Sequence, residues 1–261
     1  MTAPRLDHVA IAVERWTDAW PCYAVDLGGE WRSGERGPGF APQQLEYANG
    51  MRVELLEPNR VAENDFLRRF LDRHGPGVHH LTFKVHDIAA TLAALDRAGF
   101  HPVGVDTADP TWKEAFVHPK EAAGVVVQVA EAVGGAWVTP AADGFPVELR
   151  PSSALTGIVL AVADLDDALR LYRDVLGGKE LRRGRGSVEL GWEAPATLTL
   201  VEAAAGGPPA AWLDGRSGRV RHLTFACPDP RAVASATPAG DGNWAVESEH
   251  ANGVRLILSP G

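Results

Sequence analysis

One short pattern recurs at four points along the chain and limits the fold more than any other feature. Leu6-Asp7-His8-Val9-Ala10-Ile11-Ala12-Val13 reads as a strand. Gly77-Val78-His79-His80-Leu81-Thr82-Phe83-Lys84-Val85 reads as another, opened by Gly75-Pro76-Gly77. Leu155-Thr156-Gly157-Ile158-Val159-Leu160-Ala161-Val162 resembles the first, and Arg221-His222-Leu223-Thr224-Phe225 repeats the second nearly letter for letter. A helical pattern follows three of them. Trp16 to Leu27 stops at Gly28-Gly29, Ile88 to Ala98 stops at Gly99, and a helix begun at Asp164 ends at Leu176-Gly177-Gly178. Shorter strands complete each unit, among them Gln43 to Tyr47, Met51 to Leu56, Trp112 to Val117 and Val125 to Val129. Asn64 to His74 predicts a connecting amphipathic helix.

A repeat of this kind is one supersecondary block that cannot bury its apolar face alone. The expected class is α+β: four βαβββ units paired into two modules, whose curved mixed sheets enclose a cleft. The first module spans 1–132 and the second 154–261, with 133–153, rich in Gly, Pro and Ala, as the linker. The fourth unit lacks room for a full helix between Asp229 and Asn243, where Pro228, Pro230 and Pro238 also oppose one.

Bulk properties exclude several classes. The chain has 34 acidic and 25 basic residues and a net charge of −9, without a basic stripe, which argues against a nucleic-acid partner. No apolar run is long enough to cross a bilayer, and Met1-Thr2-Ala3-Pro4-Arg5 is not a signal peptide. Cys22 and Cys227, the only cysteines, have no metal-type spacing and read as buried small hydrophobes. A cytoplasmic location is expected.

Alternation along the strands selects the candidate site. In the second strand Leu81, Phe83 and Val85 take one face and His80, Thr82 and Lys84 the other, expected to be polar and accessible. His8 holds the equivalent place in the first unit. Glu54, flanked by Val53 and Leu55, and Gln128, flanked by Val127 and Val129, hold equivalent places on the last strands of units one and two. A two-fold relation between the units brings His8, Glu54, His80 and Gln128 onto one face. Two imidazoles, a carboxylate and an amide oxygen suit one divalent transition metal: zinc, cobalt, nickel, manganese or iron. The bland reading makes Glu54 a solvated strand residue and Gln128 a structural amide. At the matching positions of the second module stand Gly157, Thr199, His222 and Ile257, so that module is expected to be metal-free.

These repeats and positions resemble the vicinal oxygen chelate (glyoxalase, bleomycin resistance, dioxygenase) superfamily. The first module is most similar to the methylmalonyl-CoA epimerases, through Leu6 to Val13, Val53-Glu54-Leu55-Leu56-Glu57-Pro58, Gly77 to Leu81, Phe116-Val117-His118-Pro119-Lys120 and Gly124 to Val127. The resemblance implies a metal held in chain order by His, Gln, His and Glu. Here those places are His8, Glu54, His80 and Gln128, so the amide and the carboxylate have exchanged. An amide takes no proton at neutral pH, so a catalytic role for the family's last glutamate passes to Glu54. The epimerases also use a loop glutamate, whose counterpart here is Glu35.

The expected activity is a metal-dependent isomerase, epimerase or lyase acting on a small carbonyl compound through a metal-stabilised enolate, with Glu54 or Glu35 moving the proton. A non-haem iron dioxygenase and a metabolite- or drug-binding resistance protein stand as alternatives. The substrate is a small molecule. A CoA ester would call on cations such as Arg32, Arg36, Lys84, Lys113 and Lys120. The second module could close the cleft, bind a ligand, or stand in for the partner of a homodimer.

Overall fold

The structure, a computed structural model, describes residues 4–133, 138–205 and 207–261; Met1 to Ala3 and residues 134–137 of the expected linker lie outside it. The first repeat runs β1 (Arg5–Ala12), α1 (Trp16–Trp20), β2 (Glu30–Gly34), β3 (Gly39–Glu46) and β4 (Arg52–Asn59). After the connecting helix α2 (Phe66–His74) come β5 (Gly77–Lys84), α3 (Ile88–Arg97), β6 (Val103–Asp106), β7 (Trp112–Val117) and β8 (Val126–Ala132). The third repeat is β9 (Ala154–Val162), α4 (Leu165–Leu169), β10 (Lys179–Gly184), β11 (Ser187–Gly191) and β12 (Thr197–Glu202). The fourth is β13 (Gly218–Cys227), β14 (Thr237–Gly240), β15 (Asn243–Val246) and β16 (Leu256–Pro260), with a single turn at Pro230–Ala232 where the others have a helix.

The strands form two open eight-stranded sheets, ordered β2-β3-β4-β1-β5-β8-β7-β6 and β10-β11-β12-β9-β13-β16-β15-β14. The second order is the first with eight added to every strand. Within each repeat the first and last strands pair in parallel and the rest antiparallel. The fold is thus α+β, with four repeats paired into two mixed eight-stranded sheets.

The helices start where the sequence supplies acceptors. Asp87 accepts from Ala90 N at 2.9 Å and Asp164 from Asp167 N at 2.9 Å. Strand carboxylates serve as well: Glu57 on β4 accepts from Trp16 N at 2.8 Å at the uncapped start of α1, and its symmetry mate Glu131 on β8 accepts from Ile88 N at 2.8 Å beside the Asp87 cap. In Glu54-Leu55-Leu56-Glu57 the second glutamate is therefore a helix anchor. Two expected helices change form after their first turns. α1 widens over Pro21–Asp26 and α4 over Arg170–Val175 into turns closed five residues back, Leu27 N to Cys22 O and Leu176 N to Leu171 O. Proline cannot be the common cause, because the second stretch has none.

Contacts divide the chain into two compact units, each taking one half of both sheets. One comprises 1–7, 80–135 and 157–221. In it the ring of Phe83 meets Trp192 at 5.0 Å, and the Tyr172 hydroxyl donates to Ala122 O at 3.2 Å. The other comprises 8–79, 136–156 and 222–261. There Tyr47 meets Phe225 at 5.1 Å, and Tyr23, the mate of Tyr172, donates to Ala251 O at 3.0 Å. The described part of the linker lies against its own unit, where Trp31 Nε1 donates to Thr139 O at 3.0 Å and Phe145 meets the rings of Trp20 and Trp31. Among the described residues no helix is long and apolar enough to cross a membrane.

Cys22 and Cys227 are free and buried. Burial, helped by the Asp26 carboxylate, pushes the Cys22 thiol up to about 12, and burial raises Cys227 as well. Neither thiol is therefore expected to react with a disulfide reagent at pH 8 in the native state, and both to react in guanidinium. A fast native-state reaction would contradict this.

Candidate metal centre

The parallel pairing of β1 with β4 sets Ala10 opposite Glu54, and that of β5 with β8 sets Thr82 opposite Gln128. Ala10 lies two residues after His8, and Thr82 two after His80. The registers therefore make Glu54 and Gln128 equivalent, as the repeat predicted. The corresponding pairs of the second sheet are Val159 with Thr199 and Thr224 with Ile257. Its equivalents of the four candidates are Gly157, Thr199, His222 and Ile257, one donor-type imidazole among them.

His8, Glu54 and His80 come together. One ligand atom from each lies within 4.8 Å of the others. His8 Nε2 is 3.7 Å from Glu54 Oε2. Both histidines are buried, His8 1% and His80 5% exposed. Glu54 is fixed by Gln44 on the neighbouring strand, whose Nε2 donates to Glu54 Oε1 at 3.1 Å. Gln44 in turn accepts from Arg52. Two imidazoles and a carboxylate at this spacing fit a single divalent ion.

The face is not the accessible surface expected. Thr82 is fully buried and Gln128 only 7% exposed. On the β1–β4 side the cause is α2, whose Leu67 and Leu71 pack onto Ala10, Ala12 and Leu56, with Phe40, Phe66 and Phe70 around them. Those alanines and Leu56 alternate in phase with His8 and Glu54, so the expected amphipathic connector covers the continuation of the ligand face. Beside it His79 meets Phe70 at 4.9 Å and Phe66 at 5.8 Å. Burial holds the His79 imidazole at about 4, against the pull of the Glu54 carboxylate.

Gln128 is held by two neighbours. Thr82 Oγ1 donates to its Oε1 at 2.6 Å, and its Nε2 donates to Glu114 Oε2 at 2.7 Å. The same Glu114 oxygen accepts from Trp112 Nε1 at 2.8 Å, and the Lys84 ammonium sits 3.5 Å from the centre of the Trp112 ring. Glu114 was missed from sequence. The available signal was alternation along Trp112 to Val117, which puts Trp112, Glu114 and Phe116 on the face of Gln128. Glu35 is an exposed loop residue after β2. The cations considered for an anionic substrate are mostly engaged: Arg36 with Glu57 at 3.1 Å, Lys113 with Glu131 at 2.7 Å, and Lys84 on Trp112.

This is a paired-βαβββ protein carrying a two-histidine, one-carboxylate cluster on a sheet face. Residues 7–116 match the family described as Glyoxalase/Bleomycin resistance/Dioxygenase superfamily. The chain is 31% identical over 133 residues to an ethylmalonyl-CoA/methylmalonyl-CoA epimerase of Cereibacter sphaeroides, covering 48% of this chain and 96% of that protein. It is 30% identical over 138 residues to the uncharacterized protein YqjC of Bacillus subtilis, covering 50% of this chain and 94% of that one. A variant of 4-hydroxymandelate synthase from Streptomyces coelicolor shares the fold over 100% of this chain and 95% of its own, with a TM-score of 0.69 and 14% identity. The chain belongs to the Glyoxalase/Bleomycin resistance/Dioxygenase superfamily. The matched segment takes in His8, Glu54 and His80 and ends before Gln128.

Proposed function

We propose that the protein is a metal-dependent isomerase or epimerase that moves a proton on the carbon beside a substrate carbonyl. The observation that carries this reading is the buried His8–Glu54–His80 cluster. In the proposal His8, Glu54, His80 and Gln128 hold one divalent ion, and the second sheet holds none. A bound divalent cation supplies Lewis-acid polarisation of a carbonyl oxygen, contributing on the order of several kcal/mol to the barrier. The chain does the rest. Glu54, its Oε1 steadied by Gln44, keeps Oε2 directed at the imidazoles. Glu35, on a loop, carries the proton to and from solvent. The substrate class is a small carbonyl compound of the cytoplasm, with no nucleic-acid partner. Branched CoA thioesters come first for screening, because the Cereibacter sphaeroides relative is named for them.

The test is deuterium exchange from heavy water into the carbon beside the carbonyl. Glu35→Gln is expected to slow exchange roughly 10²–10⁴-fold, the usual worth of a general acid–base, while retaining metal. Label uptake that survives unchanged in Glu35→Gln would remove that residue from the mechanism.

A second reading rests on the same three side chains, since two histidines and one carboxylate also form the iron site of non-haem oxygenases. Turnover that consumes oxygen and leaves no label would replace the first reading by this one.

A further inference from the structure

We infer that Glu114 is a positioning residue which locks the Gln128 amide so that its oxygen, and not its nitrogen, faces the metal-binding cluster. The inference rests on the metal reading above and adds a residue to it. An amide offers an acceptor on one side and two donors on the other, and the two ends have nearly the same shape. A Gln that is to serve a cation must therefore be told which way to point. Here the partners decide. Glu114 Oε2 accepts from Trp112 Nε1, a group that can only donate. An ionised carboxylate oxygen only accepts, so the Gln128 atom against it at 2.7 Å is the donor Nε2. The oxygen Oε1 is thereby turned to Thr82, whose hydroxyl donates to it at 2.6 Å. Register and alternation put Thr82 and Gln128 on the strand face of His80. The Lys84 ammonium over the Trp112 ring supports the negative end of the chain.

The first repeat has a related bond from a different strand position: Gln44 stands directly opposite Glu54, whereas Phe116 stands opposite Gln128 and Glu114 reaches it diagonally. The amide of Gln44 donates to the ligand carboxylate of Glu54 at 3.1 Å. In the second repeat the ligand is the amide and the holder is the carboxylate. Each repeat thus carries one amide–carboxylate bond on this face.

The experiment is a cobalt(II) titration of metal-free protein, read by visible absorbance, on wild type, His80→Ala, Gln128→Ala, Glu114→Gln and the double variant Glu114→Gln/Gln128→Glu. Glu114→Gln is expected to weaken cobalt binding by about 10–100-fold, as losing an outer-shell partner does, and to alter the ligand-field spectrum. The double variant, which restores one amide and one carboxylate, is expected to regain most of the affinity. If Glu114→Gln also lowers the melting temperature of the metal-free protein, the double variant decides. Recovery there supports positioning, and failure to recover overturns it. Wild-type affinity in Glu114→Gln or in Gln128→Ala overturns the inference alone, provided His80→Ala has lost binding. Equal binding by wild type and His80→Ala overturns the metal reading itself.

Discussion

Replacing His80 by Ala is expected to empty the protein of transition metal. Wild type loaded with zinc or cobalt and desalted should retain about one ion per chain by elemental analysis, a stoichiometry set by one three-residue cluster. The variant should retain almost none. What remains is His8 and Glu54, 3.7 Å apart, and the neutral amide oxygen of Gln128, a weak donor, so that one of the two imidazole ligands is gone. The loss should exceed the roughly 10–100-fold cost of removing an outer-shell partner, because a direct ligand goes. Because His80 is buried, truncation also costs packing beside Phe116, whose ring centre lies 6.4 Å away. The two effects separate in a melting experiment. A ligand at a hundred times its Kd stabilises by about 2.7 kcal/mol, roughly 5–10 °C for a protein of this size. Wild type should show that rise on adding metal and the variant should not, whatever their metal-free melting temperatures. A wild type that neither retains metal nor melts higher with it would sink the site.

The repeat made most of this legible in advance. Near-identity of the His80 and His222 strands, and Leu-Gly-Gly after two helices, fixed four units, and strand alternation then selected His8, Glu54, His80 and Gln128. The registers of β1 with β4 and β5 with β8 bear out the equivalence of the last strands. What strand alternation could not reveal was what lies over the face. It separates two sides of a strand but says nothing of a third element arriving from elsewhere. So α2 could be drawn as an amphipathic connector while its apolar side, packed on Ala10, Ala12 and Leu56, went unplaced. Glu114 was passed over for a related reason. Its worth comes from Gln128 and Trp112, partners that no spacing along β7 singles out. The two glutamates of Glu54-Leu55-Leu56-Glu57 look interchangeable in sequence. Three residues on a twisted strand turn one to the histidines and the other to the start of α1.

Gly253→Ala is expected to be among the most destabilising single-atom changes available. Gly253 has φ +79°, a conformation that a side chain resists. A Cβ there would lie 1.8 Å from Pro76 O and 2.6 Å from Pro76 C, so backbone and not a flexible side chain would have to move. Pro76 is part of the Gly-Pro-Gly entry to β5, and its ring leaves that segment little freedom to yield. The same contact occurs in the other unit, where Gly124, φ +84°, would bring a Cβ to 1.8 Å from Gly218 O at the start of β13. Strain at positive φ and forced overpacking each cost about 1–3 kcal/mol. A loss of about 3 kcal/mol should lower the melting temperature by roughly 6–12 °C. Gly50→Ala supplies the control. Its φ of +78° is nearly the same, but nothing lies within 4 Å of the added atom, so only the conformational cost of about 1–2 kcal/mol applies. The difference between Gly253→Ala and Gly50→Ala therefore measures the close approach itself. Equal melting temperatures would mean that Pro76 and Gly77 yield freely, and that the entry to the His80 strand is not held by this contact.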